Sequence, residues 1–348
     1  MVHFTAVILG HPLQALKFCY SFFAQCFIDI TERVLLPHYP TYQSLRTRLA
    51  RAYLGAAAIH LPDIVHRLPV SNCPASRARP VEGANWKGYI IPGSCTLLDN
   101  DDEYKYIIIL YAHGGGYVRG EARQYLNYME RWINAAAGKG IKLIFLSVEY
   151  PLSTEAAHPA QRTSFLDGYQ YLLDEGVPAN KIIFMGDSAG AALSILSALE
   201  LPKLGLPQPA GSVLISPWLD TTLSLYNSGG SPMVETDYIN TANRSVPEMF
   251  RLFLGGIDGA DPDVNPLHRP IEEIQSLNPQ LILTGGAEMA MLDGRHWAEL
   301  CARAGVRHKL VLEWGQLHIY ALGSAWLSQE VREKTDKQIM QWIDECTS

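Results

Sequence analysis

The segment from Lys181 to Leu196 admits few folds. An apolar run, Lys181-Ile182-Ile183-Phe184-Met185, enters Gly186-Asp187-Ser188-Ala189-Gly190, which opens the helix-competent stretch Ala191-Ala192-Leu193-Ser194-Ile195-Leu196. Strand, sharp turn and helix in that order put a serine at the apex, with a glycine two residues to either side. Such a turn holds its serine in strained backbone, and a side chain at 186 or 190 would clash with the adjoining strand or helix. The helix that starts just beyond Ser188 also aims unsatisfied amide donors at whatever binds there. In this setting the motif marks a nucleophilic serine.

A second glycine run completes the signal. Tyr106-Ile107-Ile108-Ile109-Leu110-Tyr111 reads as a buried strand and leads into His113-Gly114-Gly115-Gly116-Tyr117. Alone, the glycines would mean only a flexible turn. After a strand, and upstream of the serine turn, they read as an oxyanion hole. Without side chains, the backbone N–H groups of Gly114 and Gly115 can approach a developing alkoxide, with the N–H of Ala189 as a third donor. His113 reads as structural, its ring bonded to backbone beneath the turn.

The rest of the chain supplies a scaffold for these two loops. Strands are expected at Trp86–Ile91, Tyr106–Tyr111, Lys142–Val148, Lys181–Met185, Gly211–Ser216, Gln280–Thr284 and His308–Glu313. Helix-patterned segments separate most of them: Gln124–Ala137, Gln161–Leu173, Ala189–Leu201, Gly294–Ala304 and Val331–Ile343. Short apolar strands alternating with helices make an α/β fold, a mostly parallel sheet with helices on both faces. Ser71–Asn85, rich in Pro, Ser, Arg and Gly, reads as a linker. Leu219–Asn278 is too long for a simple crossover. With its helical piece near Val246–Leu254, it reads as an insertion that folds over the sheet end.

A serine hydroxyl is a poor nucleophile until a base takes its proton, and the base needs an orienting carboxylate. The last strand leads through Trp314-Gly315-Gln316-Leu317 to His318, at the sheet's active edge, so His318 is the candidate base. His308 starts a strand and His296 lies in a helix. Strand Gln280–Thr284 ends in Gly285-Gly286-Ala287-Glu288, which makes Glu288 the candidate acid. Asp293, five residues on, is the alternative and reads as a helix N-cap.

His-Gly-Gly-Gly, Gly-Asp-Ser-Ala-Gly, the following Ser216-Pro217-Trp218-Leu219-Asp220, and the terminal acid and histidine together resemble the hormone-sensitive-lipase-type carboxylesterases of the α/β-hydrolase fold. The likeness runs from about Tyr106 to Leu322. The aromatic amino-terminal run and Gly-Gly-Ala-Glu in place of Gly-x-Asp look most like fungal members, including steryl-acetate hydrolases and natural-product tailoring enzymes. The resemblance implies a serine esterase acting on small acyl esters without metal or cofactor. It implies a helical cap made from residues 1–75 and an insertion at about 221–275, on a core spanning 76–348. Carried over, Ser188 is the nucleophile, His318 the base, Glu288 the acid, and Gly114, Gly115 and Ala189 the oxyanion donors. Asp187 would hold the loops around the oxyanion hole, and Tyr117 and Trp218 would line the substrate pocket. Three places depart from the family pattern: Tyr150-Pro151-Leu152-Ser153-Thr154-Glu155 stands where the family has Tyr-Arg-Leu-Ala-Pro-Glu and so lacks an arginine, Ala191 replaces a glycine, and the acid is Glu.

Composition narrows the partners. A net charge of −7 with no basic stripe argues against nucleic acid and against electrostatic attraction to anionic membranes. No metal-ligand, Walker or dinucleotide pattern occurs. Asp99-Asn100-Asp101-Asp102-Glu103 reads as a solvated turn. The six cysteines lack paired spacing and read as reduced thiols in a cytoplasmic protein. The apolar run Phe4–Ile30 leaves three readings: a helix over the active site, a helix in a membrane interface, or a spanning helix. The chain is expected to be a monomer or homodimer. Acyl transfer or ring closure by the same acyl-enzyme, and non-catalytic ligand binding, stand as alternatives to hydrolysis. The presence of a serine, an acid and a histidine disfavours the last.

Overall fold

The computed structural model describes residues 10–36, 43–60, 73–98, 105–227, 236–239, 246–324 and 326–348. The acidic turn at 99–103, residues 4–9 of the apolar run, and parts of the insertion (228–235 and 240–245) lie outside them.

Strands β1 (Arg79–Glu82), β2 (Lys87–Ile91), β3 (Lys105–Ala112), β4 (Ile141–Val148), β5 (Ile182–Asp187), β6 (Gly211–Ile215), β7 (Gln280–Gly285) and β8 (His308–Glu313) form one sheet in the order β1-β2-β4-β3-β5-β6-β7-β8. From β4 to β8 every pairing is parallel, whereas β1 and β2 run antiparallel at one edge. The expected seven strands are all present. β1 is an addition, lying inside the stretch that reads as linker. It is a four-residue edge strand containing Pro80, too short and too polar to announce itself in sequence.

Central strands are buried on both faces, which is why they read as continuous apolar runs rather than alternating ones. Ile108, Leu110, Ile182 and Phe184 pack into the core on one side of the sheet; Ile107, Ile109, Ile183 and Met185 pack into the core on the other. The helices covering these faces are α3 (Leu126–Ala137), α4 (Ala160–Asp174), α5 (Ala189–Leu204), α7 (Met291–Arg303) and α8 (Gln329–Thr347), with α6 (Val246–Leu254) in the insertion. Ahead of them, α1 (Pro12–Leu35) and α2 (Leu45–His60) pair with each other as a hairpin. Among the described residues no helix is long and apolar enough to cross a membrane.

Because the inner strands are parallel, the loops after β3, β5, β7 and β8 all emerge at one edge of the sheet. These loops carry His113–Tyr117, Ser188, Glu288 and His318. Their convergence follows from the strand order, and the open carboxyl edge of a parallel sheet is where α/β proteins place ligands.

Candidate active site

Ser188 sits between β5 and α5 with φ 52° and ψ −120°, a conformation costly for a residue with a side chain. The surrounding glycines explain how the strain is tolerated. A Cβ on Gly186 would collide with the backbone of Gly190, and one on Gly190 with the carbonyls of Ala112 and His113. The turn is therefore as tight as the sequence implies. The Ser188 N–H donates to the Ile215 carbonyl at 2.8 Å, tying the apex to the next strand.

The Ser188 hydroxyl lies 2.9 Å from His318 Nε2. On the far side of the imidazole, Nδ1 stands 3.4 Å from Glu288 Oε2, within ion-pair reach but out of line for a hydrogen bond. The structure thus brings the three residues together in the order hydroxyl, imidazole, carboxylate. Glu288 is itself fixed by two hydroxyls: Ser216 Oγ donates to Oε2 at 2.6 Å and Thr284 Oγ1 to Oε1. Ser216 Oγ also accepts the Ile319 N–H at 2.9 Å. One serine, held at φ 48°, therefore fastens the acid loop to the histidine loop.

Asp293 takes a different place. Its Oδ2 accepts the backbone N–H groups of Leu219 (2.7 Å) and Asp220 (3.2 Å), so it pins the loop after β6 rather than capping its own helix. Burial pushes this carboxyl up to about 7, against the pull of those two donors.

The glycine loop brings a correction. The Gly114 N–H donates to Asp187 Oδ1 at 2.9 Å, so this amide is committed to a carboxylate and does not serve as an oxyanion donor. The same carboxylate accepts the hydroxyls of Tyr111 (2.7 Å) and Tyr125 (3.1 Å). Asp187 thus holds the oxyanion loop, as the resemblance implies, and burial raises its carboxyl to about 6 despite the three donors. The N–H groups of Gly115, Gly116 and Ala189 take no protein acceptor among the described residues. Gly115 adopts φ 122°, which only glycine tolerates, and this turns the loop after the first glycine.

Tyr117 also departs from expectation. Its ring is packed inside, stacked on Phe253 of α6 with centroids 3.9 Å apart, and does not form a pocket wall. Trp218 does stand beside the site, tilted against Phe250 at 4.5 Å and close to Gly116. It belongs to a small apolar cluster with Val118, Val246, Met249, Phe250, Met289 and Ala290. Met249 and Phe250 escaped the sequence reading because nothing local distinguishes one amphipathic helix face from another.

A further carboxylate, Asp237, was not anticipated either. Oδ1 accepts the N–H of Tyr238 (2.8 Å) and of His318 (3.4 Å), and Oδ2 accepts the N–H of Met289 (2.8 Å). It thereby joins the insertion to both loops that carry the acid and the histidine. Burial lifts its carboxyl to about 6. For His318, burial alone would lower the imidazole pKa, but Glu288, then Asp237 and Asp187, outweigh it and raise it from its ordinary value.

The loop that lacks the customary arginine is held by other means. Gln161 donates to the carbonyls of Pro151 (3.0 Å) and Ala156 (2.7 Å), and Glu155 accepts the Leu152 N–H at 2.8 Å. Tyr150 stacks on His113 at 4.2 Å and donates to its carbonyl, which confirms a structural place for that histidine.

Known proteins share this architecture. The family described as alpha/beta hydrolase fold matches residues 109–322. An esterase of Acinetobacter venetianus is 25% identical over 267 residues, which is 76% of this chain and 81% of that protein. An acetyl-hydrolase of Streptomyces hygroscopicus is 29% identical over 197 residues, covering 57% of this chain and 62% of its own length. Among solved structures, the HSL-homolog EstE7 from a metagenome library superposes with a TM-score of 0.66 at 25% identity, covering 86% of this chain and 93% of the other.

Proposed function

The chain belongs to the α/β-hydrolase-fold family, and on that premise we propose that it is a carboxylesterase, cleaving small hydrophobic esters through Ser188, His318 and Glu288. The observation that carries this reading is the 2.9 Å contact between the Ser188 hydroxyl and His318 Nε2 at a strained strand-to-helix turn.

In this mechanism the Ser188 oxygen attacks the ester carbonyl while its proton passes to His318 Nε2. Glu288, held by Ser216 and Thr284, stabilises the imidazolium. The alkoxide is met by the N–H groups of Gly115, Gly116 and Ala189, fixed before the reaction and therefore needing no reorganisation during it. Collapse expels the alcohol, which takes the proton from His318. Water then repeats the sequence on the acyl-enzyme to release the acid.

The cap of this enzyme is formed from residues 1–75 and the insertion at about 221–275. In support, α6 lays Met249 and Phe250 against Trp218 and Val118 beside the oxyanion loop. That cluster favours apolar acyl or alcohol groups. A natural-product ester as substrate, and kinship with fungal tailoring enzymes, rest on the aromatic amino-terminal run and the Gly-Gly-Ala-Glu loop.

The test is direct. A fluorophosphonate should label the protein at Ser188, and p-nitrophenyl acetate and butyrate should turn over. Absence of both labelling and turnover would sink the hydrolase reading in favour of ligand binding.

A further inference from the structure

The α1–α2 hairpin buries one face and leaves the other bare. Ala15, Phe18 and Phe22 of α1 turn inward, with Phe18 and Phe22 edge-on to Tyr53 of α2 at 5.5 and 5.9 Å. Ser21 bonds His60 at 2.7 Å, and the buried Asp29 pairs with Arg48 at 2.6 Å. The opposite face carries Leu13, Leu16, Tyr20, Phe23, Phe27, Ile30 and Val34, all between 45% and 78% exposed. They recur at alternating intervals of three and four, so they form one stripe along the helix, about 32 Å long at 1.5 Å per residue. Exposed apolar side chains scattered singly are normal, but a continuous aromatic stripe of this length marks an interaction surface.

We propose that this stripe docks the protein on the surface of an anionic lipid bilayer, with α1 lying in the plane of the interface. The charges choose the occupant. The positions flanking the stripe are Lys17, Cys19, Ala24, Cys26, Thr31 and Arg33, which include two cations and no acid. A second copy of the chain would bring like charges together along such a seam, with nothing to set register. Anionic headgroups would complement them. The net charge of −7 conceals this arrangement, because residues 1–80 hold eight Lys/Arg against three Asp/Glu. Lys17 and Arg46 are exposed on the hairpin, and no Asp or Glu precedes Asp29. The sequence-level expectation that anionic membranes exert no pull is thus revised by where the charges lie. The hairpin is tied to the insertion: Gln43, just ahead of α2, donates to the Thr236 carbonyl at 3.0 Å, next to the Asp237 that accepts the His318 N–H.

Flotation of the full chain with phosphatidylcholine–phosphatidylserine vesicles tests this. The unmodified protein should rise with the vesicles. Tyr20→Asp combined with Phe27→Asp should reduce the floating fraction at least about tenfold, with p-nitrophenyl acetate turnover unchanged. Because a double substitution can disturb the hairpin, Phe23→Trp provides a second measurement. That variant should still float and gain quenching by brominated acyl chains that the unmodified protein lacks. An unmodified protein that stays at the bottom of the gradient overturns the proposal. So does a lipid-free dimer, seen by light scattering, that the aspartates dissociate.

Discussion

The loop around Ser188 and the hairpin of α1 and α2 are both rich in small and apolar residues, yet they obey opposite rules. Around the serine, backbone meets backbone so closely that single Cβ atoms are excluded, and the Ser188 N–H ties the apex to the next strand. Along α1, a whole row of large side chains faces outward with ample space. The first region is overdetermined by packing inside the protein. The second is packed on one face only and waits for something outside it. Mutational sensitivity should therefore differ sharply between them, even for changes of the same size.

The most severe test is removal of the proposed nucleophile. Ser188→Ala should lower kcat for p-nitrophenyl butyrate by about ten-thousandfold or more while leaving the unfolding midpoint almost unchanged. Next is the acid. Glu288→Ala should cost roughly a thousandfold in kcat, because the imidazole loses the group that orients and charges it. Asp293→Ala separates the two carboxylates. It strands the Leu219 and Asp220 N–H groups, so it should lower stability by about 1–3 kcal/mol while the folded enzyme keeps activity within about tenfold of the original. Equal losses of kcat at both positions would remove the distinction drawn from their contacts.

Stability then probes the contrast itself. Gly190→Ala adds one carbon where the Ala112 and His113 carbonyls already stand, and should destabilise by roughly 3 kcal/mol in urea unfolding. Tyr20→Ala removes an entire ring from α1 and should move stability by less than about 0.5 kcal/mol without lipid. If the hairpin change proved the costlier, the bare face would have to be packed against something in the protein.

How much of this could be read from the chain alone follows the same division. The serine turn was legible because its glycines answer to neighbours within a few residues, and the placement of Glu288 and His318 beside it because each follows a recognisable strand. The oxyanion loop was misread by one position. Which of three consecutive amides faces the site is decided by Asp187, which captures the Gly114 N–H from seventy-three residues away. Ser216, Gln161 and Met249 were missed for a similar reason: their roles exist only once strands and helices are assembled. Tyr117 was assigned to the pocket from its place beside the glycines, but its ring follows Phe253 into the core. The exposed stripe of α1 was visible as apolar sequence, while its outward direction needed the position of α2.

Asp237 offers the finest discrimination, because it is where the insertion touches the loops that carry Glu288 and His318. It accepts the His318 and Met289 N–H groups, and its negative charge helps to raise the His318 pKa. The proposed base works only when the imidazole is neutral, so kcat/KM should fall as pH drops through the raised His318 pKa. Asp237 carries its charge chiefly above its own value of about 6, which overlaps this limb. Asp237→Asn keeps the shape and removes the charge. The imidazolium then loses a stabilising neighbour, the His318 pKa moves down, and the acidic limb of the profile should shift to lower pH by under about one unit. The shift should be smaller than that from Glu288→Gln, since Glu288 is the nearer and stronger influence on the ring. A side chain that served only to brace the loops would instead scale the whole profile down without moving its limb. A limb that stays fixed would therefore assign Asp237 to support of the loops alone, and would detach the insertion from the chemistry of the base.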